Sequence, residues 1–159
     1  IKRYGFHGTS YAYTTTQASK LLQIPQNNIN LISMHLGNGA SITAIQNGKS
    51  IDTSMGMTPL AGLVMGSRCG DIDAAIIPYL HTQGYDINKI DDILNHKSGL
   101  VALCGTNDMR EIESSYHQNN PKAIQAIDIY TYQIAKYIGS YATILGDIDA
   151  IVFSGGIGE

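Results

Sequence analysis

"ISMHLGNGASITAIQNGKSIDTSMG", Ile32 to Gly56, is the stretch on which the fold turns. Residues from about Asn30 to Leu36 form a short apolar run, Ala40 to Gln46 a second, and Lys49 to Ser54 a third. Between the last two lies Asn47-Gly48. A two-residue hairpin turn needs φ > 0 at both centres, and Asn-Gly is the pair that tolerates it best. The stretch therefore reads as a three-strand antiparallel meander. Its other turn is chemically different. "HLGNG", His35 to Gly39, strips side chains from a strand end, so backbone N–H groups there can approach an anion such as phosphate. A tight hairpin with glycines chosen for their φ angles reads equally well from these residues.

Working outward, Thr9 or Ser10 can cap a helix running to about Leu22, and Pro25 punctuates its end. "GMTPLAGLVMGSRCGD" (56–71) is glycine-rich and only loosely helical. Asp71 or Asp73 starts a helix through "AAIIPYLHTQ", where Pro78 marks a first turn or a kink and Gly84 the end. Ile87, Ile90, Ile93 and Leu94 have helical spacing, with Lys97 and Gly99 closing that helix. "TNDMREIESSYHQ" (106–118) is a short helix. Asn120-Pro121 is a cap followed by proline at the first helical position. Ile124, Ile127, Tyr130, Ile134, Ile138 and Tyr141 then mark the buried stripe of the longest helix. "DAIVFSGGIGE" (149–159) is a buried strand entering a second glycine loop. The class is α/β.

The chain has 159 residues, one domain or most of one, with a formal net charge of −3. That balance argues against a nucleic-acid or membrane surface built on bulk charge. No apolar run approaches the length of a membrane span. The first residues lack the apolar core of a signal peptide. Cys69 and Cys104 form no C-x-x-C, so a disulfide framework or a zinc site is disfavoured and a reducing compartment fits. Cys69 follows Arg68, which raises the question of an activated thiol. The chain opens on Ile1 rather than Met and stops at Glu159 within a glycine-rich stretch, and it reads as a piece of a longer protein.

Four further segments carry chemical potential. "SGGIGE" (154–159) follows a strand, as nucleotide-contacting loops do, yet it is neither a P-loop nor a G-x-G-x-x-G fingerprint. With "HLGNG" it suggests two glycine loops on neighbouring strand ends gripping one nucleotide. "MGSRCGD" sets Arg68 between Gly66 and Gly70, suited to bidentate contact with phosphate or carboxylate; pairing with Asp71 or Asp73 is the structural alternative. "FHGTS" places His7 where it can donate to developing negative charge, or merely pack at a helix entry. "TNDMRE" offers Asp108, Met109 and Arg110 to a purine and its ribose, or simply a capped helix. His81, His96 and His117 read as structural or surface residues, and no two histidines have metal-ligand spacing.

Taken in order, "RYGFHGTS", "HLGNGAS", "DTSMGMTPLAGLVMGSRCGDID", "TNDMRE" and "SGGIGE" closely resemble the acetate kinase family across essentially the whole chain. The resemblance implies a ribonuclease-H-like α/β core of the acetate and sugar kinase, Hsp70 and actin superfamily. It implies that residues 1–159 are a single partial domain, the nucleotide-binding half of the enzyme, with N- and C-terminal flanks missing. The implied reaction is ATP + acetate giving ADP + acetyl phosphate, with Mg²⁺ held by residues outside the chain. His7 and Arg68 match the groups that stabilise the transferring phosphoryl. His35, Leu36, Gly37, Asn38 and Gly39 match the phosphate loop. Asp108, Met109 and Arg110 match residues at the adenosine, and Gly156, Ile157, Gly158 and Glu159 a loop against the nucleotide. Phe6 and Pro59 match the lining of a small apolar acyl pocket.

Departures are few. Tyr11 stands where the family usually has His, Met57 where it has Phe, and "SRCGD" replaces a more usual "TRSGD". The family's other substrate arginine, its catalytic aspartate and its metal-positioning glutamate have no counterpart here, so the chain alone is expected to be inactive. A cytoplasmic homodimer with small-molecule substrates is implied for the full-length enzyme, with neither nucleic acid nor membrane as partner. Propionate or butyrate kinase remains an alternative within enzymes, and a non-catalytic ATP-binding module of the actin/Hsp70 type an alternative outside them. A dinucleotide-binding oxidoreductase is disfavoured, because neither glycine loop sits in a properly spaced βαβ unit.

Overall fold

The meander forms as its hairpin signal requires. In the computed structural model, which describes residues 2–159, β1 (Leu31–Leu36), β2 (Ala40–Gln46) and β3 (Lys49–Thr53) are successive antiparallel neighbours. Asn47 and Gly48 take φ of 51° and 72° in the β2–β3 turn. Ala44 pairs with Asp52 but Ile45 with Ser50, so Ile51 is the extra residue of a β-bulge. β4 (Ala150–Ser154) joins β1 in parallel, giving the order β3-β2-β1-β4 and a mixed sheet.

Alternation then assigns the faces. Ile32, Met34 and Leu36, with their partners Ala44, Ile42 and Ala40, turn toward α6 (Pro121–Leu145) and form the larger core with Tyr130, Ile134 and Tyr141. Leu31 and Ile45 face the other way, onto Ala18 of α1 (Gly8–Leu22) and Ile29. Ile32, Met34 and Ile42 are fully buried. Truncating one such side chain costs roughly 2–5 kcal/mol, against about 1 kcal/mol for a net hydrogen bond. Side-chain burial therefore fixes the register of this sheet.

The remaining helices are α2 (Ile76–Thr82), α3 (Ile87–His96), α4 (Gly99–Cys104) and α5 (Met109–His117). Several expectations need correction. α1 begins at Gly8 with His7 as its cap, in place of Thr9 or Ser10. α2 starts at Ile76 without a side-chain cap, later than Asp71 or Asp73, and Pro78 lies in its first turn. Gly99 opens α4 instead of closing α3; its φ is +61°, and a Cβ there would lie 2.1 Å from the Met65 carbonyl oxygen. Residues 56–71 contain no helix. The buried stripe of α6 centres on Ala123, Ala126, Tyr130, Ile134, Tyr141 and Leu145, with Ile127 and Ile138 at its margin. β4 is an edge strand, and its Ile151 and Phe153 are 43% and 54% exposed. Asn120 caps α6 with Pro121 at its first position, as expected. No helix among the described residues is long and apolar enough to cross a membrane.

Candidate functional site

Because β1 and β4 are parallel neighbours, the loops after them lie side by side. Ile157 donates its N–H to the Leu36 carbonyl (2.9 Å), and Gly155, at φ +83°, sits so close that a Cβ would come within 2.5 Å of the same oxygen. The loop after β1 is the Gly37-Asn38-Gly39 turn. Neither of its glycines has a positive φ, so a turn requirement does not explain them. A Cβ at Gly37 would meet only ordinary contact, and one at Gly39 would stand 3.4 Å from Arg68 Nη1 and 4.0 Å from His7 Nε2. Bare backbone here leaves room for something other than protein.

Two other segments lock this turn. Gly66 donates its N–H to the Asn38 carbonyl (3.0 Å), and the Asn107 amide donates to Asn38 Oδ1 (2.9 Å). A Cβ at Gly66 would fall 1.9 Å from Asn38 Oδ1, so a side chain there would displace the Asn38 amide from this contact. Neither the role of Gly66 nor the involvement of Asn107 was visible in the sequence. The signal that could have raised it is the pairing of a glycine and an asparagine with two already suspected segments.

Arg68 is held without a carboxylate. Its Nη1 donates to the Pro59 carbonyl (3.2 Å) and approaches Met65 Sδ (3.8 Å). The expected structural alternative, a pair with Asp71 or Asp73, is not formed. Asp71 instead accepts from the Gly62 N–H (2.8 Å) and the Tyr137 hydroxyl (2.6 Å), and burial followed by Asp71 pushes that phenol's pKa up. Cys69 N–H donates to Leu94 and the Ser67 hydroxyl to Asn95 (both 3.0 Å), pinning the arginine loop to the end of α3. Burial raises the Cys69 thiol above its ordinary pKa, the opposite of activation.

His7 reaches the same place from the other side of the sheet. Arg3 pairs with Asp52 (3.1 Å), and Tyr4 N–H bonds the Gly56 carbonyl (3.0 Å), tying the incoming segment down. His7 then takes φ +58°, an uncommon backbone for a residue with a Cβ. Its ring stacks on His35 with centroids 4.1 Å apart. Its Nδ1 lies 2.8 Å from Ser41 Oγ, and His35 Nδ1 lies 3.0 Å from Ser10 Oγ. Burial first, then His35, then Arg68 lower the His7 pKa, which favours the neutral imidazole.

On the opposite side of the turn, Gly37 and Asn38 line a cleft of about 610 Å³ with Asn107, Asp108, Met109, Arg110, Gly156 and Ile157. Small-molecule pockets run from roughly 300 to 1,000 Å³, so this one admits a nucleotide-sized ligand. Asp108 caps α5 and is gripped by Arg110 (Nε–Oδ1 2.9 Å, Nη2–Oδ2 2.5 Å), which holds its carboxyl well down, at about 2. The cap and the cleft lining thus coexist at one residue. Gly158 and Glu159 follow the lining residues, and a Cβ at Gly158 would come within 2.5 Å of the Ser154 carbonyl oxygen. Phe6 opens on a separate cavity of about 190 Å³ beside Tyr11 and Thr43, whereas Pro59 meets Arg68. Among the described residues no cluster of three or more His, Cys, Asp or Glu could hold a metal ion.

An acetate kinase of Campylobacter jejuni subsp. jejuni serotype O:2 is 58% identical over the entire chain, which covers 40% of that protein. The crystal structure of Porphyromonas gingivalis acetate kinase superimposes with a TM-score of 0.96 at 43% identity, covering 100% of this chain and 40% of that one. A propionate kinase from Francisella tularensis subsp. tularensis SCHU S4 gives 0.95 at 49%, covering 100% and 41%. The chain therefore spans about two fifths of the length of the relatives it matches, and its α/β fold is that of solved acetate and propionate kinases, of the actin/Hsp70 type. The profile of the Acetokinase family matches residues 1–159, and the chain belongs to that family.

Proposed function

We propose that the whole protein transfers the γ-phosphoryl group of ATP to the carboxylate of acetate. A carboxylate oxygen forms the new P–O bond as the bond to the ADP oxygen breaks, giving acetyl phosphate and ADP. The observation that carries this reading is Arg68: a cation with no carboxylate partner among the described residues, facing the bare Gly39 backbone beside His7. Phosphoryl transfer asks a protein for positioning and for hydrogen-bond donors, charged or neutral, around the equatorial oxygens. Arg68 and neutral His7 supply those donors. His35 and Leu36 end β1 and carry the Gly37-Asn38-Gly39 turn, whose amides take the nucleotide phosphates. Asp108, Met109, Arg110, Gly156, Ile157, Gly158 and Glu159 surround the nucleoside. The family resemblance assigns Phe6 and Pro59 to an acyl pocket; Pro59 accepts from Arg68, while Phe6 lines a separate cavity beside Tyr11.

Mg²⁺ is implied by the family resemblance, but the described residues do not form a site that fits it. The same resemblance implies a homodimer, a cytoplasmic setting and no nucleic-acid or membrane partner. A second acyl preference has an observation in its favour, the 49% identity to the Francisella propionate kinase. One methylene changes discrimination by only about 1–3 kcal/mol, so some turnover of propionate is expected. Arg68→Ala in the whole protein tests the assignment. The kcat should fall by roughly 10²–10³ while ADP affinity changes little. Retention of kcat would remove Arg68 from the chemistry. No turnover even before substitution, with ADP still bound, would favour a nucleotide-binding module.

A further inference from the structure

Ser41 and Tyr11 take no part in the mechanism above, yet both are buried against His7. Ser41, on the α1 face of β2, is fully buried, and Tyr11 is 5% exposed. The Ser41 oxygen meets His7 Nδ1 at 2.8 Å and also the Tyr11 hydroxyl. Burial, only partly offset by that hydroxyl contact, pushes the Tyr11 pKa up to about 12, so the phenol keeps its proton at neutral pH.

Three groups in a row can pass their hydrogen bonds in one of two directions. If His7 Nδ1–H donated to Ser41, and Ser41 to Tyr11, the phenolic proton would have no acceptor among the described residues. A buried donor left unsatisfied costs about 1–3 kcal/mol. The reverse direction satisfies both buried hydroxyl protons and leaves the imidazole proton free at the open end of the row. Tyr11 donates to Ser41, Ser41 donates to Nδ1, and the imidazole proton then resides on Nε2. That nitrogen faces the Gly39 backbone and Arg68, while the stacked His35 ring fixes the plane in which it points.

We propose that Ser41, backed by Tyr11, is a positioning residue for His7: a one-way relay that keeps the proton on Nε2 and aims this donor at the transferring phosphoryl group. The inference rests on the reading of His7 as a phosphoryl-stabilising group. Its test uses the whole protein with ¹⁵N-labelled histidine, comparing wild type, Ser41→Ala, Tyr11→Phe and His7→Gln.

Wild-type His7 should show an unprotonated Nδ1 and a protonated Nε2. In Ser41→Ala the two nitrogen signals should move toward each other, with kcat down about tenfold and KM for ATP unchanged. That loss is smaller than the roughly 10²–10³ for removing a direct donor. Tyr11→Phe should shift both readouts the same way by less, and it decides the matter alone if Ser41→Ala does not fold. Wild-type nitrogen signals and kcat in both variants would overturn the relay, provided His7→Gln has lost turnover. Full turnover in His7→Gln would instead overturn the reading of His7.

Discussion

The two turns of one meander use glycine for opposite reasons. Gly48, between β2 and β3, has φ +72°, and a Cβ there would fall 2.0 Å from the Gln26 carbonyl oxygen. Its missing side chain belongs to the fold. Gly37 and Gly39, between β1 and β2, have no positive φ, and no backbone crowds them. What a side chain would disturb at Gly39 is the space shared by Arg68 and His7. Sequence inspection cannot separate these cases, because both appear as glycine in a strand–turn–strand. Backbone angle and the atoms a Cβ would meet do separate them: one glycine is demanded by its own chain, the other leaves room for a ligand.

Substitution in the whole protein would sharpen or break this contrast. Gly48→Ala should show the largest effect, a loss of roughly 2–3 kcal/mol in thermal or denaturant unfolding, with kcat per folded molecule retained. Gly39→Ala should invert the pattern. Unfolding should stay within about 0.5 kcal/mol of wild type while kcat falls about tenfold, equivalent to about 1.4 kcal/mol of barrier. If Gly39→Ala unfolds the protein and spares kcat, the contrast collapses. Gly37→Ala should do less, weakening ADP binding by a few fold in calorimetry, under about 1 kcal/mol, with no change in melting.

The smallest effect concerns protons. The folded-state pKa of His7 lies below its ordinary 6.5. The unfolded chain therefore binds the proton more readily, and the stability held above pH 6.5 is lost as pH falls through the folded value. Melting temperature should drop over that window. His7→Gln, with no proton to gain, should flatten the drop, and an unchanged acid limb would contradict the buried, neutral placement.

Local chemistry announced itself in the sequence. Asn47-Gly48 and Asn120-Pro121 each specify structure within a few residues, and both are found as read. The gathering of Gly37, Asn38, Asp108, Met109, Arg110, Gly156 and Ile157 into one cleft followed once β1 and β4 became parallel neighbours. What escaped notice depends on distance along the chain. Gly66 and Asn107 have meaning only through Asn38. His7 became a helix cap because ties to β3, Gly56 and Ser41 outweigh the local preference of Thr9 or Ser10. The apolar run of β4 looked like a buried strand, but an apolar run does not say whether a neighbour covers both faces, and Ile151 and Phe153 are open. α4 was lost because Gly99 resembles a helix stop, whereas its conformation is set by contact with Met65.

One measurement bears most directly on whether this bare turn serves phosphoryl transfer. Acyl-phosphate formation would be followed for the whole protein with Mg·ATP and acetate, propionate or butyrate in parallel. Acetyl phosphate as the leading product, with propionate trailing, is the expected result. Tight ADP binding with no acyl phosphate from any of the three acids would contradict it, leaving Arg68 and His7 as parts of a nucleotide-binding surface alone.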